Sequence, residues 1–449
     1  MMISLPSTPA SPATAPAGSG ASGPPGWRPT AALVRCVLLA VVMMAVAILA
    51  RRPDLLVLAA PLAIITGWSI LTRPRCEPVL SHRLAAPTVR EGEATTWRGS
   101  LADAEGVDVV VAVMPPTSWL RRRPTGGVVT ATPVDGVADL AFAVRSLRWG
   151  QHRVERVTVA ASSAWGSFRW SGQTPQSLLT GLPLPSVFDA AGSVRRASGL
   201  VGLDYSSRPG EGMEFAGIRE FQSGDRVRRI NWPRSLRAGS LHVTSTWADQ
   251  DTLVMLEVDA TDDVGISEGI DGLASSLDLA VRAAGAIAEH YVRRGDRVTL
   301  RVFGSSPDRS VAPASGRAHL RRILDSLAAI RAGSDPRGLS ARGRLIPPAE
   351  ALVIILTPLV SAAPLDRAVA LARRGVTVVV VDTLPQGVTE DPDPLTALAW
   401  RIRLLERRRE VRLAQDIGVP VVQWRGPGSL DQFLRDVARR ASAPRMASR

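Results

Sequence analysis

The densest concentration of groups able to do chemistry is FAGIREFQSGDRVRRINWPRSLRAGSLHV, residues 215–243. Arg219, Glu220, Asp225, Arg226, Arg228, Arg229, Arg234 and Arg237 surround Phe221, Ile230 and Trp232 there. Guanidinium and carboxylate groups at this density form bidentate pairs, with Arg219 and Arg228 as donors and Glu214, Glu220 or Asp225 as acceptors. Gly224-Asp225 reads as a tight turn. Trp232 reads as an apolar anchor whose indole N–H needs an acceptor. Acid–base catalysis needs a carboxylate, histidine or lysine at a shifted pKa. Asp225 is the one candidate, it has no evident second partner, and His242 reads as structural. The stretch therefore reads as a folded brace at a domain crossover, or as a surface that docks a protein partner. Arg219, Glu220, Asp225, Arg228, Asn231, Trp232 and Arg237 are its expected working residues.

A second cluster, Asp259-Ala260-Thr261-Asp262-Asp263, follows the apolar run TLVMLEVD. Ligands of open α/β sheets bind beyond the carboxyl ends of strands, and Thr357 and Asp382 end later strands. Asp259, Thr261 and Asp263 are hard oxygen donors of the kind magnesium takes. The alternative is that Asp259 and Asp263 cap the following loop and helix. The histidines are far apart, no pair has zinc-ligand spacing, and Cys36 and Cys76 have no CxxC partner. No GxSxG, HExxH or Walker A pattern occurs.

These groups must be positioned by three kinds of element. Residues 1–30 read as a disordered tail rich in Ser, Pro, Ala, Gly and Thr. AALVRCVLLAVVMMAVAILA (31–50) and LLVLAAPLAIITGWSIL (55–71) have no polar face; the first is about one hydrocarbon thickness long and the second is near the lower length limit for a span. They predict a two-helix transmembrane hairpin over 31–71, with Trp27 and Trp68 at the interfaces. Arginines are more numerous on the outer flanks than in the RRPD loop, so the positive-inside rule puts both termini in the cytoplasm. Residues 77–190 alternate with period two over VDVVVAVMP, GVADLAFAV and HRVERVTVAAS, which predicts a small β-sandwich-like module. Residues 191–250 carry the crossover. Over 251–442, apolar strands alternate with amphipathic helices, the last being 429–440, as in a Rossmann-like α/β domain. The basic run RIRLLERRREVRLA reads as a solvated helix face with Glu406 and Glu410 as partners, the alternative being contact with anionic lipid heads.

The chain of 449 residues carries a formal charge of +13, all of its positive charge being arginine. The arginines are scattered and no binding motif organises them, which argues against nucleic acid.

The two-helix hairpin, the β module and the run G-x-E-F-x-x-x-R-E-F-x-x-G-D-x-x-R-x-I-N-W, Gly212 to Trp232, ahead of a strand ending in Asp, resemble the domain of unknown function 58 family. RWGQHRVERVTVAASSAWGSF (148–168) resembles that family's arginine-glycine strand and its following turn, with Trp149 and Ser167 as departures. The resemblance implies a C-terminal module like a von Willebrand factor A domain, and a genomic association with MoxR-type AAA+ ATPases. It names no activity. A complete adhesion-type metal site of that module would have serine where Asp263 stands, and an aspartate where Pro358 follows Thr357. The reading that results is a non-enzymatic membrane-anchored scaffold or adaptor, with a MoxR-type ATPase as partner. The alternatives are a divalent-metal-dependent binding module and an envelope-associated enzyme.

Overall fold

The computed structural model describes residues 26–184, 209–222, 225, 227–247, 253–304, 309–333, 347–348, 351–386 and 393–425. The chain divides into two compact units: Met1–Leu147 with Gln151–Gly181, and Arg148–Gly150 with Leu182–Arg449.

The first unit holds two apolar helices, α1 (Ala31–Leu49) and α2 (Asp54–Leu71). Thr30 caps α1 by accepting from the Leu33 N–H. Both helices are long and apolar enough to cross a membrane. They leave Leu38, Val41, Ile48, Val57 and Ile64 exposed, a surface that water would not tolerate on a soluble hairpin. Trp68 is exposed beside them, whereas Trp27 packs into the β module. It is buried and donates its indole N–H to the Cys76 carbonyl at 2.9 Å. The expected tail accordingly stops short of residue 30. Strand β1 (Arg28–Pro29) pairs antiparallel with β11 (Phe168–Gln173). The rest of that tail lies outside the described residues.

Three sheets make up the β module, the two larger ones antiparallel. Five strands run in the order β1, β11, β10 (Thr158–Ser163), β5 (Val107–Val113) and β7 (Val128–Ala131). Four run β2 (Val79–Leu84), β4 (Ala94–Ala102), β8 (Ala138–Ser146) and β6 (Leu120–Arg123). The short strands β3 (Thr88–Arg90), β12 (Ser177–Leu182) and β9 (Gly150–Val154) form the third. Alternate residues of β8, from Ala138 through Leu140, Phe142 and Val144 to Ser146, are buried, as period two requires. Trp97 of β4 stands opposite Phe142, their ring centroids 5.6 Å apart. Gly99 makes room for that indole, because a Cβ there would lie 2.5 Å from the Trp97 ring. The single strand expected over 152–162 is two strands, β9 and β10, broken at Glu155–Val157.

The second unit contains a two-stranded ribbon, β13 (Pro209–Glu220) with β14 (His242–Trp247), and the short helix α3 (Trp232–Ala238). A six-stranded sheet follows in the order β17 (Arg309–Ala314), β16 (Arg297–Phe303), β15 (Leu253–Asp259), β18 (Leu352–Thr357), β19 (Thr377–Asp382) and β20 (Val421–Gln423). Only β17 runs antiparallel to its neighbour. Its helices are α4 (Ser276–Arg293), α5 (Arg317–Ala328), α6 (Ala363–Arg373) and α7 (Pro394–Asp416).

Side chains leave each strand of this sheet on alternate faces. Val254, Leu256 and Val258 pack with Ala280, Ala284 and Ile287 of α4 and with Ile323 of α5. Met255, Val353 and Ile355 pack with Leu365, Ala368 and Leu371 of α6. Both faces are covered, which is why these strands read as unbroken apolar runs. Strand order reverses between β15 and β18, so the crevice beyond Asp259 and Thr357 is the sheet's switch point. The helix expected over 429–440 lies outside the described residues.

Candidate functional site

The ribbon is shaped by one ion pair. Arg219 near the end of β13 reaches Asp225 through both terminal nitrogens, at 2.8 and 2.6 Å. The same guanidinium donates to the Glu220 carbonyl, and Asp225 accepts from the Gln222 N–H at 2.8 Å. Asp225 thus closes the turn and ties it to the strand. The Arg219 hydrogen bond, then the Gln222 N–H, hold its carboxyl below the usual carboxylate range. Of the acceptors expected for Arg219, the structure selects Asp225. Gly224 and the side chains of Glu214 and Arg228 lie outside what is described.

Asn231 starts α3. Its side chain accepts from the Arg234 N–H, and its own N–H donates to the His242 carbonyl at 2.8 Å. The Ser235 hydroxyl donates to the Asn231 carbonyl and accepts from the His242 N–H, both at 2.8 Å. Helix and ribbon are therefore pinned to each other by the Asn231 N–H and the Ser235 hydroxyl. The apolar side chains point elsewhere. Trp232 is 56% exposed and Leu236 81%, with Val227 and Leu241 also open. Trp232 is not the buried anchor its type suggested. Glu220 and Arg237 are exposed too, Arg237 in the last turn of α3.

At the sheet's switch point the expected oxygen donors converge but are already engaged. Asp259 accepts from the Thr261 N–H at 3.1 Å and from the Thr357 hydroxyl at 2.8 Å. Asp263 accepts from the Leu277 N–H at 3.0 Å, at the start of α4, and pairs with Arg148 at 3.4 Å. Thr261 Oγ1 and, just past the end of β19, Thr383 Oγ1 are buried without a partner. Gly304 lies so close, with φ +74°, that a Cβ there would stand 2.5 Å from Thr261. Asp262 is raised above the usual carboxylate range by burial and then by the Asp259 charge. Two free hydroxyls beside two carboxylates drawn into the protein's own hydrogen bonds make a weak donor set for magnesium, which asks for near-octahedral oxygen ligation. Among the described residues no group of three His, Cys, Asp or Glu side chains could hold a metal ion.

Guanidinium groups supply the positive charge instead. Arg407 of α7 pairs with Asp382 and donates to the Pro358 carbonyl at 3.1 Å. Arg403 donates to the Val360 carbonyl at 2.6 Å and makes two 2.8 Å bonds to Glu410. The basic helix is thus not a purely solvated face, since two of its arginines cover the carboxyl ends of β18 and β19. Deeper in the sheet, Glu257 is fully buried and bound by Arg367 at 2.6 and 2.5 Å. Asp278, also fully buried, accepts from Arg148 Nε at 2.7 Å and from the Trp149 indole at 2.9 Å.

The sequence reading missed Arg148, Glu257, Asp278, Arg367 and Arg407. Two of them carried a signal. A charge inside the apolar run LVMLEVD requires a buried partner, and Ser275-x-x-Asp278 ahead of an apolar run has the form of a capping box.

The chain is similar to known proteins over this region. A family model described as "Protein of unknown function DUF58" matches residues 217–416. An uncharacterised protein of Mycobacterium bovis is 30% identical over 250 residues, which is 53% of this chain and 70% of the relative. Uncharacterised proteins of two Mycobacterium tuberculosis strains match to the same extent.

Proposed function

The chain belongs to the DUF58 family of proteins of unknown function, and on that premise we propose that it is a membrane-anchored scaffold that binds a protein partner and catalyses no reaction. The partner in this reading is a MoxR-type AAA+ ATPase. The hairpin is the anchor, with both termini in the cytoplasm, and the six-stranded module is a von Willebrand factor A-like domain that works without a resident metal. Its strand order, with one antiparallel edge, supports that likeness.

The observation that carries the reading is the surface of the ribbon. An internally bonded platform holds Trp232, Leu236, Val227 and Leu241 out into solvent beside Arg237. A tryptophan and a leucine over half exposed gain nothing for the fold where they stand. They supply the apolar area that a partner pocket would bury, and tryptophan and arginine dominate such contacts.

The test uses the full chain in detergent and the MoxR-type ATPase of the same organism, both purified. Trp232→Ala/Leu236→Ala should weaken binding at least about tenfold, the size expected of a central anchor, with the circular dichroism spectrum unchanged. Undiminished binding by this variant would remove the ribbon from the interface. No binding by the wild type would remove the ATPase as partner.

A further inference from the structure

The turn between β10 and β11 has a place in the first unit that its sequence does not explain. Trp165 sits there at φ 60°, ψ 15°, a conformation uncommon for a non-glycine residue, and 72% of it is exposed. The turn is bonded to the ends of both apolar helices. The Gly166 carbonyl accepts from the Thr30 hydroxyl at 2.8 Å, and the Ser167 carbonyl from the Thr30 N–H at 2.9 Å, at the start of α1. The buried Ser167 hydroxyl donates to Ser69 Oγ at 2.7 Å, two residues before the end of α2. Leu33 of α1 belongs to the β module's core, and Val37 packs against that core.

Helix length sets the depth of this turn. α1 and α2 have 19 and 18 residues, roughly 28 and 27 Å of helix, against a hydrocarbon thickness of about 30 Å. Neither helix has turns to spare outside the bilayer. A turn bonded at Thr30 and Ser69 must then lie at the lipid–water boundary, level with the exposed Trp68. Exposed arginines ring it. Arg169 stands opposite Arg28 in the β1–β11 register, and its side chain is exposed. Arg73 lies over the Phe168 ring at 5.2 Å. The neighbouring turn carries Asp103 and Glu105 and offers no such attraction.

We infer that the Ala164–Gly166 turn is a membrane-interface anchor, with Trp165 in the headgroup layer and Arg73 and Arg169 on the phosphates of anionic lipids. An indole is at home at that depth, and arginines near an anionic surface each add to the attraction. The inference rests on the hairpin lying in the bilayer.

The test is site-directed spin labelling of the full chain in vesicles, in a Cys36→Ser/Cys76→Ser background. Labels go on Trp165→Cys, on Leu38→Cys as the hydrocarbon reference, and on Ala94→Cys at the far end of β4 as the aqueous reference. Collision with dissolved oxygen against a water-soluble nickel chelate reports depth. The expected result is a label at residue 165 shielded from nickel several-fold more than at residue 94. It should be shielded more in phosphatidylcholine with phosphatidylglycerol than in phosphatidylcholine alone, with that difference lost in Arg73→Gln/Arg169→Gln. A 165 label as nickel-accessible as the 94 label, with the 38 label in lipid, overturns the anchor. Equal depth in both vesicles overturns the role of the arginines. A 38 label in water would instead overturn the hairpin reading on which both depend.

Discussion

Arg219 and Asp225 set the shape of the ribbon by holding a strand end to the turn beyond it. Their pair is part-exposed, so its contribution is felt locally. The Asp225 carboxyl titrates below its unfolded value, first because of Arg219 and then because of the Gln222 N–H. The pair therefore contributes fully above the unfolded carboxylate pKa and is lost as pH falls through the depressed folded one. Hydrogen exchange on the full chain should show Asn231 and His242 protected at neutral and mildly acid pH. That protection should fall only below the ordinary carboxylate range. In Asp225→Asn, exchange should be several-fold faster at neutral pH, with the acid step gone. An identical acid step in the variant would show that another carboxylate governs the ribbon. Trp149 and Ser167 also have local roles. Trp149 donates to a buried carboxylate, and Ser167 joins the β module to α2.

At the scale of elements, α4 depends on its first turn. Ser275 and Asp278 exchange hydrogen bonds with each other's backbone, at 3.3 and 3.2 Å. Asp278 alone also takes Arg148 and the Trp149 indole. The two residues of one capping box should therefore differ in cost. Ser275→Ala removes a cap, about 1 kcal/mol. Asp278→Ala leaves the Trp149 indole N–H unpaired and takes from Arg148 its shorter carboxylate bond, leaving it Asp263, about 2–3 kcal/mol. Urea unfolding of the full chain in detergent, followed by a label on α4, measures both, and equal losses would deny Asp278 its second role. The same helix shows how far the sequence could be read. Its 3.6-residue period marks it within a residue of its observed ends, and the apolar runs of β15, β18 and β19 are as plain, because burial on both faces leaves a local trace. β17, RSVAPA, was not foreseen, since an edge strand buries little and its pattern is weak. Nor was Arg148 on Asp278, because no local pattern encodes a contact between residues 130 apart. At the switch point the oxygen types were legible but their saturation was not. That depends on Thr357 and Arg148, which come from elsewhere in the chain.

For the whole molecule, the hairpin is less an appendage than an insertion between two segments built into the β module. Before it come Trp27, buried against the Cys76 carbonyl, and β1, which extends the five-stranded sheet. After it come Arg73 on Phe168 and Cys76 itself. Thr30 and Ser69 both bond Ser167, so the chain enters and leaves the hairpin at nearly one point. A soluble form should therefore be made by excision rather than truncation. Joining residue 30 to residue 72 through about four Gly/Ser residues, which reach roughly 13 Å, keeps Trp27 and β1 in place. A chain starting at residue 77 loses both, and with them the burial of a tryptophan, about 3–5 kcal/mol. The joined protein should stay in the supernatant after ultracentrifugation without detergent, and its β module should melt several degrees above that of the truncated one. Trp27→Ala in the joined chain should erase most of that difference. Equal melting of the two forms would mean that the N-terminal segment only rests on the β module. Persistent sedimentation of the joined form with membranes, resistant to a high-salt wash, would mean that the hairpin is not what holds the protein there.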